Sequence, residues 1–327
     1  MKQNGFIERH YARHAEHFAN DLVDTERIRI AESWFDESTA DHWRHARAYE
    51  CAELLATQAS ASWLTVGDGR WGLDAIRIRK KGYASVLPTD ISASLLAEAH
   101  ARGLIEGYAI ENAERLSFDD GSFDYVFCKE SLHHFPRPYM ALYEMIRVAR
   151  KGVFLVEPND TYEFEGLGER AAGLGRRARV AAGLRLIMQV MRAAQPATSA
   201  AQQRRPRLRY NAPDWESSGN YVYAVSRREI EKVALGLNLP QIVFKGLNDH
   251  YVKGVEFEPA DAARSPVFRE LLEITQGKDA LYRAGLADTN LLMAGILLEP
   301  LAADARQRFE GAEWEVVDLP ANPFLAR

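Results

Sequence analysis

Through the first 60 residues the polar and apolar positions follow a helical rhythm, with no strand-like alternation. Ala48, Cys51, Ala52, Leu54 and Leu55 fall on one helical face, which predicts a helix packed against later sequence. The rhythm changes at Trp63. Short apolar runs at 63–66, 84–87, 108–110, 123–127 and 153–156 now alternate with amphipathic stretches at 73–80, 92–102 and 139–149. Strand and helix in turn predict βαβ units, hence a parallel sheet covered by helices on both faces. Right-handed crossovers make this a doubly wound α/β fold that binds ligands at the carboxyl ends of its strands. The pattern breaks at 159–220. It resumes with a helix over 227–235 and strands over 241–245 and 291–298, around a second, partly helical interruption at 249–289. The expected organisation is an N-terminal helical extension (1–60), a core domain (61–158 and 221–300), an insertion (159–220) and a C-terminal tail (301–327).

Composition narrows the class. The 327 residues are 47% hydrophobic and 27% charged, a globular balance that excludes a disordered chain, a collagen-like repeat and a disulfide scaffold. Two cysteines, Cys51 and Cys128, read as reduced thiols. The start of the chain has no apolar core of a signal peptide, and the run 291–298 is far short of the roughly 20 residues of a membrane span. A soluble, cytoplasmic protein with no membrane partner is expected. The net charge of −5 hides an asymmetry. Ten arginines, with no lysine and no acid, occupy 170–209, and removing them leaves 31 basic against 46 acidic residues. A strongly acidic body carries one basic segment.

The first strand runs into Gly67-Asp68-Gly69-Arg70-Trp71-Gly72, and a helix follows. Glycines there permit a tight turn and close backbone approach to a ligand, while helix amides face it. Asp90 ends the second strand, 22 residues after Asp68, where a carboxylate can accept the hydroxyl hydrogens of a ribose. Asp90 could instead cap the next helix, but Ser92 fits that cap as well. These features predict a nucleoside-containing cofactor without choosing between NAD and S-adenosylmethionine.

The stretch from Glu111-Asn112-Ala113 through Phe118-Asp119-Asp120-Gly121-Ser122-Phe123-Asp124 and Leu132-His133-His134-Phe135 to Phe154-Leu155-Val156-Glu157-Pro158 resembles the class I S-adenosylmethionine-dependent methyltransferases. With the glycine turn and Asp90 it covers about 62–158. The resemblance implies a mostly parallel, seven-stranded Rossmann-like sheet with S-adenosylmethionine as cofactor. Thr65, Gly67, Asp68 and Gly69 then lie along its methionine part, Asp90 and Ile91 at the ribose, Asn112 and Ala113 at the adenine, and Cys128 and Lys129 at the transferable methyl. Two positions depart from the family. Thr65 stands where an acid is usual, with Asp68 a candidate to supply that charge to the cofactor's amino group, and Trp71 stands where the third glycine falls.

Methyl transfer needs an acceptor atom held near the methyl group and a group that takes its proton. His133, His134 and Glu130, just after the fourth strand, are the candidates, with His133 first. His10, His14 and His17 share a helical face and could form a metal stripe, but nothing else supports one, and no metal is expected. A helix folding over the cofactor is the reading preferred for that segment, with Trp34, Phe35, Trp43 and Tyr49 as aromatic closure. The arginine segment falls where such folds insert a lid over the acceptor. Arginine forks suit carboxylate or phosphate, so the expected partner is a small anionic metabolite methylated at oxygen or nitrogen. A nucleic acid is not expected, because the acidic body would repel its backbone. The alternatives are a non-catalytic cofactor- or partner-binding protein of the same fold and, further off, an NAD-linked oxidoreductase.

Overall fold

A computed structural model of the chain describes residues 3–19, 24–160, 215–216, 219–285 and 287–325. The arginine segment 170–209, and with it the expected lid, lies outside the described residues. The first 60 residues carry α1 (Gln3–Ala19), α2 (Thr25–Ser33), α3 (Ala40–Ala46) and α4 (Glu50–Leu54). Next come β1 (Trp63–Val66), α5 (Leu73–Lys80), β2 (Val86–Asp90), α6 (Ser94–Ala101) and β3 (Ala109–Ile110). β4 (Phe123–Lys129), α7 (Pro138–Val148) and β5 (Ala149–Pro158) complete the first half. The second half holds α8 (Arg227–Gly236), β6 (Gln241–Leu247), α9 (Pro266–Arg283), β7 (Leu291–Leu297), α10 (Ala303–Gly311) and β8 (Glu315–Asp318).

One sheet results, in the order β3-β2-β1-β4-β5-β7-β6-β8. β3, β2, β1, β4 and β5 pair in parallel, and β7 runs antiparallel between β5 and β6. The expected seven strands are therefore eight. The addition comes from the presumed tail, where β8 pairs antiparallel with β6. Its four residues alternate only Val316 and Val317 between acids, too short a signal to read as a strand. What seats it is the buried Trp314 just before it, packed against the buried Phe309 of α10.

The central strands are apolar at successive positions because both faces of the sheet are covered. Leu64, Val66, Val126, Val153 and Leu155 join one core with α7 and α8. Trp63, Tyr125, Phe127, Phe154 and Val156 join the other, where Ala48, Cys51, Ala52 and Leu55 meet Phe309 and Trp314 from the far end of the chain. α8 begins with a capping box in which Ser226 and Glu229 satisfy each other's amides. The second interruption is built around α9, whose Phe268 and Leu271 pack with Ala40 and Trp43 of α3. This brings 249–260 beside the N-terminal helices and closes one wall of the site.

Candidate cofactor and acceptor site

β1 and β4 are neighbours, and the chain leaves them toward opposite edges of the sheet. Their carboxyl ends thus border a crevice at the topological switch point. Gly67 has φ +75°, and a Cβ there would lie 2.4 Å from Ser131 Cβ. Ser131 Oγ donates to Gly67 O at 2.8 Å, which ties the turn after β1 to the turn after β4. A Cβ on Gly69 would lie 2.7 Å from the Asp90 carboxylate. Bare backbone at 67 and 69 therefore leaves Asp90 facing the crevice. Burial pushes Asp90 up to about 6, against backbone amides that lower it. Its Oδ1 accepts from Ser92 N at 2.7 Å, while Ser92 Oγ lies 3.1 Å from Ser94 Oγ. Asp90 therefore also holds the turn before α6, a duty expected of Ser92.

Asp68 borders the cavity, but its carboxylate is engaged by the protein itself. It is buried and accepts from Thr65 Oγ1 at 2.7 Å, Asp74 N at 3.0 Å and Ala75 N at 2.9 Å. It pins the first turn of α5, and Thr65 orients it from β1 without lining the cavity. Burial and the nearby Asp74 push Asp68 well above the usual carboxylate range. Trp71 keeps the backbone of the glycine it replaces, with φ +65°. Its ring stacks on Phe35 at 5.4 Å between centroids and lies 4.7 Å from the Arg102 guanidinium.

The crevice opens into a cavity of about 600 Å³, lined by Gly67, Gly69, Asp90, Lys129, Glu130, His133 and His134 among others. That volume suits a small-molecule site. Cys128 does not reach it: the side chain is fully buried on the strand, with Sγ 3.9 Å from Glu157 Oε1. The alternation along β4 sends Cys128 into the core and Lys129 toward the cavity. Lys129 pairs with Glu130, whose backbone is left-handed at φ +47°. The Lys129 charge holds Glu130 down to about 2 despite its burial, so Glu130 is a weak base and a polar anchor.

The far end of the cavity comes from residues that no sequence motif flagged in that role. Arg44 and His45 of α3, Asp74 and Arg77 of α5 and, from 249–260, Tyr251 and Glu256 all line it, beside the expected Tyr49. Arg44 bonds Asp249 at 2.7 Å and Asp41 at 2.8 Å. Arg77 is buried, and its single recorded bond is a long one, 3.4 Å to Tyr49 Oη. Its Nε has no partner among the described residues. Tyr49 in turn donates to Asp74. Of the four aromatics expected to close the pocket, Trp34 and Tyr49 line the cavity, whereas Trp43 packs edge-on against Phe268.

His133 is buried, and its Nδ1 lies 2.6 Å from Glu157 Oε2. Glu157 Oε1 accepts from Ser131 N at 3.0 Å and Leu132 N at 2.9 Å. Burial would lower the His133 pKa, but Glu157, with help from Glu216, raises it overall. Glu157 is an acid at the buried end of an apolar strand, the one signal that could have marked it. His134 Nδ1 lies 3.1 Å from Glu216 Oε2. The amide oxygen of Asn112 is occupied, accepting from Glu114 N at 2.9 Å and from Tyr11 Oη at 3.5 Å. That oxygen thus already serves the protein, while the Asn112 NH₂ remains a donor. Ile91, Asn112 and Ala113 border an adjoining pocket of about 30 Å³ that His10, Tyr11 and His14 of α1 also line. α1 thus folds over this end. Its histidines form no metal cluster among the described residues, and the His17 side chain lies outside them.

A family model described as a methyltransferase domain matches residues 64–156. Among solved structures, the trans-methyltransferase CalH in complex with SAH is 21% identical over 33% of this chain and 35% of CalH, with a TM-score of 0.30. The chain thus spans about a third of CalH's length. A SAM-dependent methyltransferase of Thermotoga maritima is 13% identical over 82% of this chain and 98% of its own, with a TM-score of 0.40. The Haloferax volcanii complex of the Trm112 activator with a methyltransferase gives 14%, 84%, 99% and 0.42 for the same measures. Residues 64–156 thus match a methyltransferase domain, for which the sequence resemblance implies S-adenosylmethionine as cofactor. The bare backbone at Gly67 and Gly69, with Asp90 beyond it, fits that cofactor.

Proposed function

We propose that the protein transfers a methyl group from S-adenosylmethionine to an oxygen or nitrogen of a small, anionic acceptor bound at the far end of the cavity. The observation that carries this reading is the continuity of one cavity from the Gly67–Asp90 end to Arg77 and Tyr49. Bound there, the cofactor supplies a methyl group on a sulfonium, open to in-line displacement. Gly67 and Gly69 would admit its methionine part, Asp90 its ribose, and Ala113 with the Asn112 NH₂ its adenine. Arg77 supports an anionic acceptor, because a buried guanidinium with an unpartnered Nε is costly unless a ligand completes it. His133 is the proposed proton acceptor. Its Nδ1 is committed to Glu157, which leaves Nε2 to receive the acceptor's proton. Glu130, paired with Lys129, would anchor the acceptor, and His134 would stand beside it.

Calorimetry with S-adenosylhomocysteine and with NADH tests the cofactor assignment. Binding of the former, lost in Asp90→Ala, is expected; binding of NADH alone would overturn the reading. Turnover is tested by transfer of labelled methyl from S-adenosylmethionine to mixed hydroxy- and amino-carboxylates. Cofactor binding without transfer to any acceptor would favour the non-catalytic alternative. Arg77→Met should lower kcat/KM for a carboxylate acceptor at least tenfold while sparing its uncharged analogue.

A further inference from the structure

His133 and His134 follow β4 directly, whereas Glu216 lies more than 80 residues later, so no sequence spacing links them. The fold brings one donor atom of each within 4.8 Å of the others. His134 Nδ1 stands 3.1 Å from Glu216 Oε2, and His133 Nε2 stands 3.8 Å from Glu216 Oε1. Donors bound to one tetrahedral ion at about 2.0–2.2 Å lie roughly 3.3–3.5 Å from each other. Both recorded separations fall within about half an ångström of that range.

Three features set this trio apart from a chance cluster. Glu157 takes the Nδ1 side of His133 at 2.6 Å, an arrangement that puts the imidazole lone pair on Nε2 and fixes the ring. Glu157 is itself held by two backbone amides and so acts behind the ligand. His134 Nδ1 is buried and makes no hydrogen bond of normal geometry. The Glu216 loop is tied to the histidine turn, because Asn220 Nδ2 donates to His133 O at 3.2 Å and Glu216 N to Asn220 O at 3.1 Å.

We propose that His133 Nε2, His134 Nδ1 and a Glu216 carboxylate oxygen bind one divalent transition-metal ion of the zinc type, with its remaining coordination positions open to the cavity. Two imidazoles and one carboxylate suit zinc and its first-row neighbours rather than magnesium or calcium, which take oxygen donors. A cation there would accept an oxygen or nitrogen of a small molecule in the cavity as a further ligand and make a bound hydroxyl more acidic. It would also occupy the atom of His133 that otherwise takes a proton, so the loaded protein would rely on the cation rather than on that base. The site stands independently of the acceptor's identity.

The test is a titration of the full-length, chelator-treated chain with Co²⁺, followed by calorimetry and visible absorption. One equivalent is expected to bind, with the strong absorption of a low-coordinate nitrogen–oxygen site, and Zn²⁺ should displace it. Glu216→Gln and His134→Gln should each weaken binding at least tenfold, and Glu157→Gln by about 10–100-fold. Glu216→Gln, on a loop outside the sheet, should melt with the unsubstituted chain, which separates loss of a ligand from loss of the fold. Absence of saturable Co²⁺ binding, or equal affinity in the Glu216→Gln and His134→Gln variants, would overturn the proposal.

Discussion

Trp71 holds a left-handed backbone that a bulky side chain adopts only under strain, at φ +65°. The ring offsets that strain by burial against Leu95, Leu96, Ala99 and Ile105. Removing a buried tryptophan costs about 3–5 kcal/mol, while relief of one strained residue returns about 1–2 kcal/mol. Trp71→Gly, which restores the glycine usual at that position in the resembled family, is therefore expected to destabilise the protein by roughly 1–4 kcal/mol in urea unfolding, although the backbone at 71 relaxes. Asp90 makes a second prediction. Its pKa, pushed up to about 6 by burial, lies above its ordinary 3.8. Between these values the native cofactor-free protein holds a proton that the unfolded chain has released, so stability rises as pH falls from about 6 toward 4. Ribose hydroxyls need the carboxylate as acceptor, so cofactor affinity moves the opposite way. S-adenosylhomocysteine binding should weaken below pH 6, by up to tenfold per pH unit, while the cofactor-free melting temperature gains from the same protonation.

At the scale of elements, α5 shows how a motif can survive a changed residue. Thr65 stands where the resembled family usually has an acid, and Asp68, three residues later, holds the following helix, its carboxylate taking the amides of Asp74 and Ala75. Asp68→Ala would strand two buried amides at about 1–3 kcal/mol each and loosen the turn carrying Gly67 and Gly69. Denaturant unfolding should show a loss of roughly 2–6 kcal/mol, with cofactor affinity falling in parallel. The glycine turn, the strand–helix alternation and the helix α8 were legible because each rests on local chemistry repeated at short range. The use of Asp68 was not, because hydrogen-bond satisfaction depends on which amides a turn presents. Cys128 went astray for a related reason: period-2 alternation puts adjacent residues on opposite faces, and only the pairing of β4 tells which face is the core.

At the scale of the whole molecule, the ends of the chain meet on one face of the sheet. Trp314 donates through Nε1 to Glu50 at 2.8 Å, and Arg308 donates to Leu54 O at 2.7 Å. Ending the chain after Glu313 would remove Trp314 and β8 and bare the edge of β6, an unpaired row of backbone groups. Such a variant should melt lower and self-associate, as sedimentation would show. By itself the sequence determined the class of fold and the place of the glycine turn and Asp90 at the strand ends, because strand and helix periods and short motifs are local properties of a chain. The eighth strand, the burial of Cys128 in the core, the far end of the cavity at Arg44 and Arg77, and the meeting of His133 and His134 with Glu216 were decided by tertiary structure alone. Each depends on which surfaces a packed sheet brings together from distant parts of the chain, and no local period carries that information.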